Sequence, residues 1–331
     1  MNLKKVVVRD SARYVPERIL TNADFEKIVD TTDEWIVQRT GIRERHVRAE
    51  NESCSTMAIE VGKKLLAQTG IDPLDIGLLI IPTVTPDYVY PATAVLVATE
   101  LGCANAAGWD VEGACGGFLN ALYTAWTALA TGDRKYALVI GSEVMTSIAD
   151  YTDRGTCVLF GDAAAGLLLE SVDDSDYGIK GFYFGSDGSQ RQYLYQPAGG
   201  CVRPPSHETV DNREHCVRMD GQIVFKYAVR MMGSAVTNVL EKTGTPIDAI
   251  DYFIAHQANA RIIESTRTRL GVSTDRMYVN IDRYGNTTSA SIPLCIDELR
   301  EAGKLKPGTQ LVLFTFGAGF VWGGAHLVWG C

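Results

Sequence analysis

Continuous apolar runs alternate along the chain with stretches that have helical periodicity. Four short runs are typical of strands buried on both faces of a sheet: 76–81, 136–140, 252–255 and 311–314. Apolar residues recur at helical spacing over three longer stretches: 55–68, 117–130 and 293–302. Because strands and helices follow one another in turn, the pattern predicts an α/β fold.

Similar segments recur about half a chain apart, which indicates an internal duplication. The clearest case is the likeness between segments 72–83 and 246–257. Three pairs of matching residues lie 173, 169 and 176 positions apart, in that order: Asp75 and Asp248, Gly102 and Gly271, Gly141 and Gly317. Chance similarity between α/β segments is the alternative. A duplication favours two halves of one topology, with a ligand site where they meet.

The segment 171–218 differs in composition from the rest of the chain. It is rich in glycine, proline, serine, aspartate and histidine. These residues favour turns and irregular backbone. The segment is therefore predicted to form loops between the two halves, placed over a binding site.

Charge and composition exclude several classes of function. The 331 residues include 31 Lys and Arg against 40 Asp and Glu, a net charge of −9. A nucleic-acid binder needs a basic surface and is not expected, although a local basic patch can still receive an acidic partner. The apolar run near the N-terminus stops at Arg9 and Asp10, and no run reaches about 18 residues, so neither a signal peptide nor a membrane span is expected. The eight cysteines have no paired spacing, which favours reduced thiols in a cytoplasmic protein without a bound metal.

Cys115 is the cysteine whose surroundings indicate chemistry. The segment 110–118 leads from a predicted strand into a predicted helix, with Cys115 at the turn and Gly116 and Gly117 beside it. Free N–H groups and the positive dipole end at a helix start favour the thiolate, which is the attacking species in acyl transfer. The glycines permit a close approach of backbone or substrate. For the other cysteines, a small buried side chain is the better interpretation.

Three further segments carry candidate residues, each with an ordinary structural alternative. His256 directly follows a predicted strand, where α/β folds place their sites, but a lone histidine is more often structural. Asn286 lies in the loop 283–289 and could equally be a turn residue or a helix cap. The turn 316–320, with Ala318 at its centre, could present N–H groups to an oxyanion or could simply end a strand.

Seven segments in one order resemble the β-ketoacyl-[acyl-carrier-protein] synthase III family of thiolase-fold condensing enzymes. The resemblance runs from about residue 5 to the C-terminus, and the segments that carry it are 31–45, 110–118, 152–155, 160–162, 256–262, 285–287 and 316–320. It implies an α/β, thiolase-like, five-layered αβαβα fold of two similar halves, and a homodimer. The N-terminal half, 1–175, would carry the nucleophile, and the C-terminal half, 176–331, the histidine and the asparagine.

The resemblance also implies an activity, that of the initiating condensing enzyme of type II fatty-acid synthesis. A short acyl group, expected to be acetyl, would move from coenzyme A onto Cys115, and malonyl-[acyl-carrier protein] would then lose CO₂ and condense with it. His256 and Asn286 would stabilise the charge that develops on the malonyl thioester. The N–H groups of Cys115 and Ala318 would hold a second oxyanion. The coenzyme A thioester is a substrate in this scheme, and no tightly bound cofactor is expected.

The family resemblance also implies which residues bind coenzyme A, the acyl carrier protein and the acyl chain. Contacts to coenzyme A are expected at Thr31, Trp35, Arg39, Arg154 and Asn259. Docking of the acyl carrier protein is expected at Lys226, Gln257, Ala258, Asn259, Ala260, Arg261 and Arg269. Tyr90 corresponds to a residue that reaches across the dimer to the end of the acyl pocket, where a phenol ring favours a short primer.

Other functions stay open on the sequence alone. A related condensing enzyme or acyltransferase of secondary metabolism or biotin synthesis would use the same three residues on another acceptor. A cysteine thioesterase would let water attack acyl-Cys115. A non-catalytic coenzyme A-binding protein is disfavoured because Cys115, His256 and Asn286 are all present. Release of CO₂ distinguishes the condensing enzyme from the last two alternatives.

Overall fold

The computed structural model describes residues 3–331, which form strands and helices in alternation. The strands are β1 (Lys5–Tyr14), β2 (Ile19–Thr21), β3 (Glu44–His46), β4 (Ile76–Pro82), β5 (Ala107–Val111), β6 (Tyr136–Glu143), β7 (Ala163–Val172), β8 (Gly178–Ser186), β9 (Leu194–Tyr195), β10 (Arg218–Met219), β11 (Tyr252–Ala255), β12 (Met277–Tyr278), β13 (Gln310–Gly317) and β14 (Val321–Val328). The helices are α1 (Asn22–Phe25), α2 (Asp33–Thr40), α3 (Cys54–Thr69), α4 (Thr93–Glu100), α5 (Gly117–Ala130), α6 (Arg154–Cys157), α7 (His207–Asp211), α8 (Gly221–Thr243), α9 (Ala260–Leu270), α10 (Ile281–Tyr284) and α11 (Ser291–Glu301).

Two five-stranded sheets share one topology. The first has the order β1-β7-β6-β4-β5, and the second has the order β8-β14-β13-β11-β12. In each sheet the three strands at one end run parallel, and the two at the other end pair antiparallel. The predicted α/β class and the two similar halves are therefore confirmed. The boundary between residues 175 and 176 stays a prediction; it falls between β7 and β8.

Helices cover both sheets and also separate them, which gives five layers. Helices α3 and α4 pack on the outer face of the first sheet, α5 and α11 lie between the sheets, and α8 and α9 cover the second sheet. Alternate residues of one strand serve different layers: Leu79 of β4 packs in the outer core and Ile80 in the central core. On β13, Leu313 and Phe314 divide in the same way. Strands buried on both faces explain the continuous apolar runs in the sequence.

The predicted helices and strands agree with the structure, with small differences at their ends. Helix α11 begins at Ser291, two residues before the predicted start, so that Pro293 lies in its first turn. Proline is tolerated there because the first N–H groups of a helix have no partner within it. No helix within residues 3–331 combines the length and apolar character needed to cross a membrane.

The prediction that 171–218 consists of loops is wrong for part of the segment. Strand β8 lies there and forms an edge of the second sheet, paired with β14. Its buried residues include Ile179 and Phe182, while Lys180 is exposed. The glycines at both ends and the polar outward face hide this edge strand from a search for apolar runs. The segment also contains the end of β7, a 3₁₀ helix (Gly188–Tyr193), α7, β9 and β10, and its remaining residues are irregular.

Candidate active site

One large cavity, of about 1860 Å³, receives the three residues for which the sequence indicates chemistry. Cys115 lies in a 3₁₀ turn, Ala114–Gly116, which joins the end of β5 to α5. His256 directly follows β11, and Asn286 follows α10 in the loop that leads to α11. All three side chains line the cavity together with Ala318. The first comes from the first half of the chain and the other two come from the second half.

The turn that carries Cys115 is held in an unusual backbone conformation. Ala114 has φ 44°, a left-handed value that costs a residue with a β-carbon about 1 kcal/mol or more. The hydroxyl of Thr315 donates a hydrogen bond of 2.7 Å to the carbonyl of Cys115. A β-carbon on Gly317 would lie only 2.8 Å from Cβ of Cys115, so a glycine is required at the end of β13. The second sheet therefore fixes the position of the thiol.

Burial opposes the thiolate that the helix start favours. Burial, together with the charge of Glu143, raises the pKa of Cys115 to about 12. The free thiol is therefore protonated at neutral pH, and its proton must leave when the sulfur becomes acylated. The position of Cys115 at a helix start does not reveal this burial, which depends on the tertiary fold.

His256 is buried and carries one nitrogen that is free for a ligand. Its Nδ1 lies 2.7 Å from Oγ of Ser291, and its buried Nε2 has no hydrogen-bond partner among residues 3–331. Because Oγ of Ser291 also accepts the N–H of Gln257 and has no other hydrogen-bond acceptor among residues 3–331, its own hydrogen points to Nδ1. The proton of the neutral ring then lies on Nε2. Burial lowers the pKa of His256 to about 3, so the ring is a neutral donor at physiological pH.

Asn286 is fixed by its backbone and by one side of its amide. Its N–H donates to the carbonyl of Leu159 over 2.8 Å, and its carbonyl accepts from the N–H of Gly161 over 3.1 Å. Its Oδ1 accepts the N–H of Thr288, a residue with φ 50°, over 2.9 Å. These bonds leave Nδ2 as the free donor of the amide, at the wall of the cavity.

A second group of donors lies at the turn after β13. Ala318 lines the cavity beside Cys115, and its N–H makes no hydrogen bond within residues 3–331. The N–H of Cys115, in the first turn before α5, likewise has no acceptor in another residue of that range and contacts only its own thiol sulfur. Two free backbone donors beside a thiol are the arrangement that stabilises an acyl-transfer oxyanion.

An aromatic ring between two arginines marks the mouth of the cavity. The guanidinium carbons of Arg39 and Arg154 lie 4.9 Å and 4.7 Å from the ring centroid of Trp35. Arg154 also donates a bond of 2.7 Å to the carbonyl of Asp30. Arg154 already contacts the indole of Trp35. Another flat ring could therefore stack between Arg154 and Trp35 only after Arg154 moves away.

The two other residues expected to bind coenzyme A, Thr31 and Asn259, present no free polar atom to the cavity. Asn259 lines the cavity, but its Oδ1 accepts the N–H of Arg261 over 2.8 Å and its Nδ2 donates to the carbonyl of Arg39 over 3.0 Å. It thereby joins the end of α2 to the start of α9. Thr31 is outside the cavity lining, and its buried hydroxyl has no partner within residues 3–331. The structure gives Thr31 no contact that supports phosphate binding.

Comparison with known proteins decides the family. Residues 109–188 match the model of the family 3-oxoacyl-[acyl-carrier-protein] synthase III, and residues 240–329 match its C-terminal model. The β-ketoacyl-[acyl-carrier-protein] synthase III of Koribacter versatilis is 45% identical over 99% of both chains. The enzyme of the same name from Caldanaerobacter subterraneus is 45% identical over 96% of this chain and 95% of its own. This chain belongs to the β-ketoacyl-[acyl-carrier-protein] synthase III family.

Solved structures of synthase III proteins have the same fold. The 3-oxoacyl-[acyl-carrier-protein] synthase III of Aquifex aeolicus superimposes with a TM-score of 0.90 at 36% identity and covers 98% of this chain and 100% of its own. The Pseudomonas aeruginosa protein superimposes with a TM-score of 0.91 at 33% identity and covers 99% of both chains. The thiolase-like fold inferred from the sequence is confirmed.

Residues expected at the carrier-protein surface of this synthase III fall into two groups. Lys226 on α8 and Arg261 and Arg269 on α9 are exposed, and none of them forms an ion pair within residues 3–331. The expectation for Gln257 is wrong, because this residue is 1% exposed and its amide bonds to the backbone of Ala255 and Asn280. The remaining members, Ala258, Asn259 and Ala260, are half-buried around the start of α9.

Tyr90 is packed against very little of its own chain. It is 85% exposed, and its neighbours Tyr88 and Val89 are 60% and 94% exposed. Val89 lines the cavity, whereas Tyr90 does not. Within one chain, Tyr90 therefore cannot bound the acyl pocket, and its predicted role requires a second copy.

Three residues that support the site are not predicted from the sequence. Thr315 holds the carbonyl of Cys115, Ser291 holds the ring of His256, and Glu143 is buried behind the cavity wall. Glu143 had a usable signal, because a carboxylate stands three residues after the end of a strand predicted to be buried on both faces (136–140). The two hydroxyls had none. Within residues 3–331, no cluster of three or more metal-ligating side chains is present.

Proposed function

We propose that this synthase III protein starts fatty-acid chains by joining a short acyl group from coenzyme A to malonyl-[acyl-carrier protein]. The observation that carries the proposal is that three side chains each present to one cavity an atom without a hydrogen-bond partner in any other residue of the range 3–331. Cys115 supplies a thiol, His256 a free Nε2, and Asn286 a free Nδ2, all at one cavity. The curated relatives named above have the corresponding activity in their names.

In the first half-reaction, Sγ of Cys115 attacks the thioester carbonyl of the acyl-coenzyme A. The N–H groups of Cys115 and Ala318 stabilise the negative charge on the carbonyl oxygen. The carbon–sulfur bond to coenzyme A breaks, and overall the thiol proton of Cys115 moves to the departing sulfur. Neutral His256 adds no positive charge, because burial lowers its pKa to about 3.

In the second half-reaction, malonyl-carrier protein loses CO₂, and the electron pair of the broken bond forms an enolate. Nε2–H of His256 and Nδ2–H of Asn286 donate to its oxygen. The carbanion carbon attacks acyl-Cys115, the thioester breaks, and the 3-oxoacyl chain leaves on the carrier protein. The released sulfur takes up a proton, which its raised pKa favours.

We assign the mouth of the cavity to the nucleotide end of coenzyme A. Trp35 and Arg154 offer flat faces for an adenine ring once Arg154 leaves the indole, and Arg39 offers a charge for phosphate. Asn259 lies at the same mouth with its amide already bonded, so it would support α2 and α9 rather than the ligand.

The exposed cations of α8 and α9 support docking of an acidic carrier protein. Lys226 and Arg261 line the cavity entrance on a chain of net charge −9, so they form a local site for a negatively charged partner. Arg269 extends this surface along α9. We retain these three as the carrier contacts and leave out Gln257.

Open edges and exposed rings support a homodimer. Strand β5 is the edge of the first sheet, with one side unpaired, and its Trp109 is exposed. The loop that contains Tyr88, Val89 and Tyr90 presents an apolar surface of the kind that marks an interface. We propose that Tyr90 of one copy closes the acyl pocket of the other. All eight cysteines are free thiols, which supports a cytoplasmic location.

The test is a reaction with acetyl-coenzyme A and malonyl-carrier protein, followed by the mass of the carrier protein and by CO₂ release. The expected product is 3-oxobutanoyl-carrier protein with one CO₂ for each product formed. Hydrolysis of acetyl-coenzyme A without CO₂ release would instead indicate a thioesterase. Absence of both products, with coenzyme A bound, would indicate a binding protein.

A related condensation in a specialised pathway has one specific observation in its favour. The priming β-ketosynthase of the R1128 polyketide pathway superimposes with a TM-score of 0.91 at 32% identity and covers 99% of this chain. A preference for longer acyl-coenzyme A primers over acetyl-coenzyme A in the same assay would favour that second candidate.

A further inference from the structure

Glu143 is a fully buried carboxyl group without a cation. It is the last residue of β6 and has no solvent exposure. No lysine, arginine or histidine within residues 3–331 forms an ion pair with it. One of its oxygens, Oε2, accepts three hydrogen bonds, from the hydroxyls of Thr83 and Thr85 and from the N–H of Val84. These bonds are 3.1, 2.8 and 3.1 Å long.

The other oxygen faces a single hydroxyl, and the geometry there places a proton. Oγ of Ser289 lies 2.9 Å from Oε1 of Glu143 and 2.8 Å from the carbonyl oxygen of Pro82. A serine hydroxyl has only one hydrogen, and a carbonyl cannot donate. Unless the single hydrogen is shared in a weaker three-centre bond, both contacts are full hydrogen bonds when Ser289 donates to Pro82 and Glu143 donates its own proton to Ser289.

Burial supports the same protonation state. An isolated carboxylate in a buried site is costly unless a cation compensates it. Burial accordingly raises the pKa of Glu143 from 4.5 to about 7, against the donors that favour the charged form. The acid is therefore mostly neutral at pH 6, and its neutral and ionised forms are present in comparable amounts near pH 7.

Each neighbouring element brings few titratable groups toward Glu143. The start of α3 brings the thiol of Cys54, and the Ala114–Gly116 turn brings that of Cys115; a charge on Glu143 raises the pKa of both thiols. Beyond Cys54, Asp87 is bonded to Ser55. Residue 163 of β7, paired with Glu143, is an alanine, and the adjacent Asp162 is bonded to Thr146 and to the N–H of Arg48.

We propose that Glu143 is a positioning residue that works as a neutral acid: its proton joins the Ser289 turn to the end of β4, and its neutrality keeps negative charge away from Cys115. Ionisation would remove the donor to Ser289 and place a charge next to the thiol at the moment when the thiol must lose its proton. The inference rests on the proposed function in one respect, that Cys115 is the residue acylated.

The experiment compares wild type with Glu143→Gln, whose amide can still donate to Ser289 and accept from the two threonines. The rate of alkylation of Cys115 by iodoacetamide is measured from pH 6 to pH 9 by mass spectrometry of the Cys115 peptide. The ratio of variant to wild-type rate should stay near 1 at pH 6 and rise toward pH 9, where Glu143 is ionised in the wild type. Each unit by which the charge on Glu143 raises the pKa of Cys115 makes the ratio at pH 9 about tenfold larger. Glu112→Gln, which removes an exposed carboxylate from the same cavity, should give a ratio that does not change with pH.

A ratio for Glu143→Gln that stays constant from pH 6 to pH 9 would overturn the proposal. If this variant does not fold, the infrared carbonyl band of protonated carboxyl groups is followed in wild type and in Ser289→Ala. Without the hydroxyl of Ser289 to accept the proton of Glu143, the neutral acid is less stable, so the pH at which half of the band is lost should fall. An unchanged midpoint would refute the placement of the proton on Glu143. Alkylation requires no acyl-coenzyme A, so its pH dependence can be interpreted even if the protein does not catalyse the proposed condensation. Likewise, a negative alkylation result would not contradict the condensation.

Discussion

Replacing Asn286 with alanine should separate the two half-reactions. The substitution removes Nδ2, the free donor at the cavity, and also Oδ1, which accepts the N–H of Thr288. The two backbone bonds of residue 286, to Leu159 and Gly161, do not depend on the side chain. We therefore expect the loop to keep its place, with a loss of about 1 kcal/mol in the free energy of unfolding for the lost hydrogen bond.

The kinetic effect should be larger than the effect on stability. One lost oxyanion donor costs about 100- to 1000-fold in rate, or about 2.7–4 kcal/mol of transition-state stabilisation. Asn286 is assigned to the enolate oxygen, whereas the acylation oxyanion is assigned to the N–H groups of Cys115 and Ala318. CO₂ release and condensation should therefore fall by about that factor, while acylation of Cys115 should change less than tenfold.

The assay measures each half-reaction separately. Acylation is followed by the intact mass of the protein mixed rapidly with acetyl-coenzyme A, and decarboxylation is followed by release of labelled CO₂ from malonyl-carrier protein. Asn238→Ala is the matched control, because that amide bonds to Ser234 within α8 and lies outside the cavity lining. Equal, small effects of Asn286→Ala on both steps would refute the assignment and leave Asn286 as a turn residue.

Other changes give equally direct outcomes. Cys115→Ala should abolish the acetyl adduct seen by intact mass, while Cys331→Ala, at the exposed C-terminus, should keep it; an adduct on Cys115→Ala protein would disprove the nucleophile. Tyr90→Ala should extend the range of acyl-coenzyme A chain lengths with little loss on acetyl-coenzyme A, because extra methylenes in a filled pocket cost roughly 1–3 kcal/mol; an unchanged profile would remove Tyr90 from the pocket. Glu143→Gln should raise thermal stability relative to wild type at pH 8 but not at pH 4. As pH rises through 4.5 to 7, the unfolded chain releases this proton before the folded protein does, so ionisation costs the wild type up to about 3 kcal/mol; equal melting curves at pH 8 would contradict this.

The fold was readable from the sequence because most of its strands are buried on both faces. Strand β4 is apolar at nearly every position and β6 over its first five residues (136–140), and the helices between the predicted strands have a clear period. Strand β8 was missed because it lies at a sheet edge and has one exposed face. The interior strands β7 and β14 were not predicted either, because alanine and glycine take up much of their length. A continuous run of large apolar residues therefore identifies a buried strand, but a strand rich in small residues or a strand at an edge can lack such a run.

The candidate site was only partly predictable, for a different reason. Cys115 was favoured from its own surroundings, whereas His256 and Asn286 were only candidates with ordinary structural alternatives until the family resemblance joined them to it. The protonation states were not predictable, since they depend on burial and on partners distant in the chain. Ser291 sets the proton of a residue 35 positions earlier, and Ser289 contacts a carboxyl group 146 positions earlier.

The duplication explains why these partners meet. The turn that carries Cys115 and the turn that carries Ser289 both lead into a central helix, α5 or α11, and each packs against a strand of the opposite half. A β-carbon on Gly141 of β6 would lie 2.5 Å from the carbonyl oxygen of Ser289, and one on Gly317 of β13 would lie 2.8 Å from Cβ of Cys115. Gly141 and Gly317, which the internal repeat matches, therefore play the same part, since each makes room for the turn of the opposite half. Strand β13 ends at Gly317, whereas β6 continues two residues beyond Gly141 and ends in Glu143, which contacts the opposite turn. The buried acid thus lies where the two similar halves depart from symmetry.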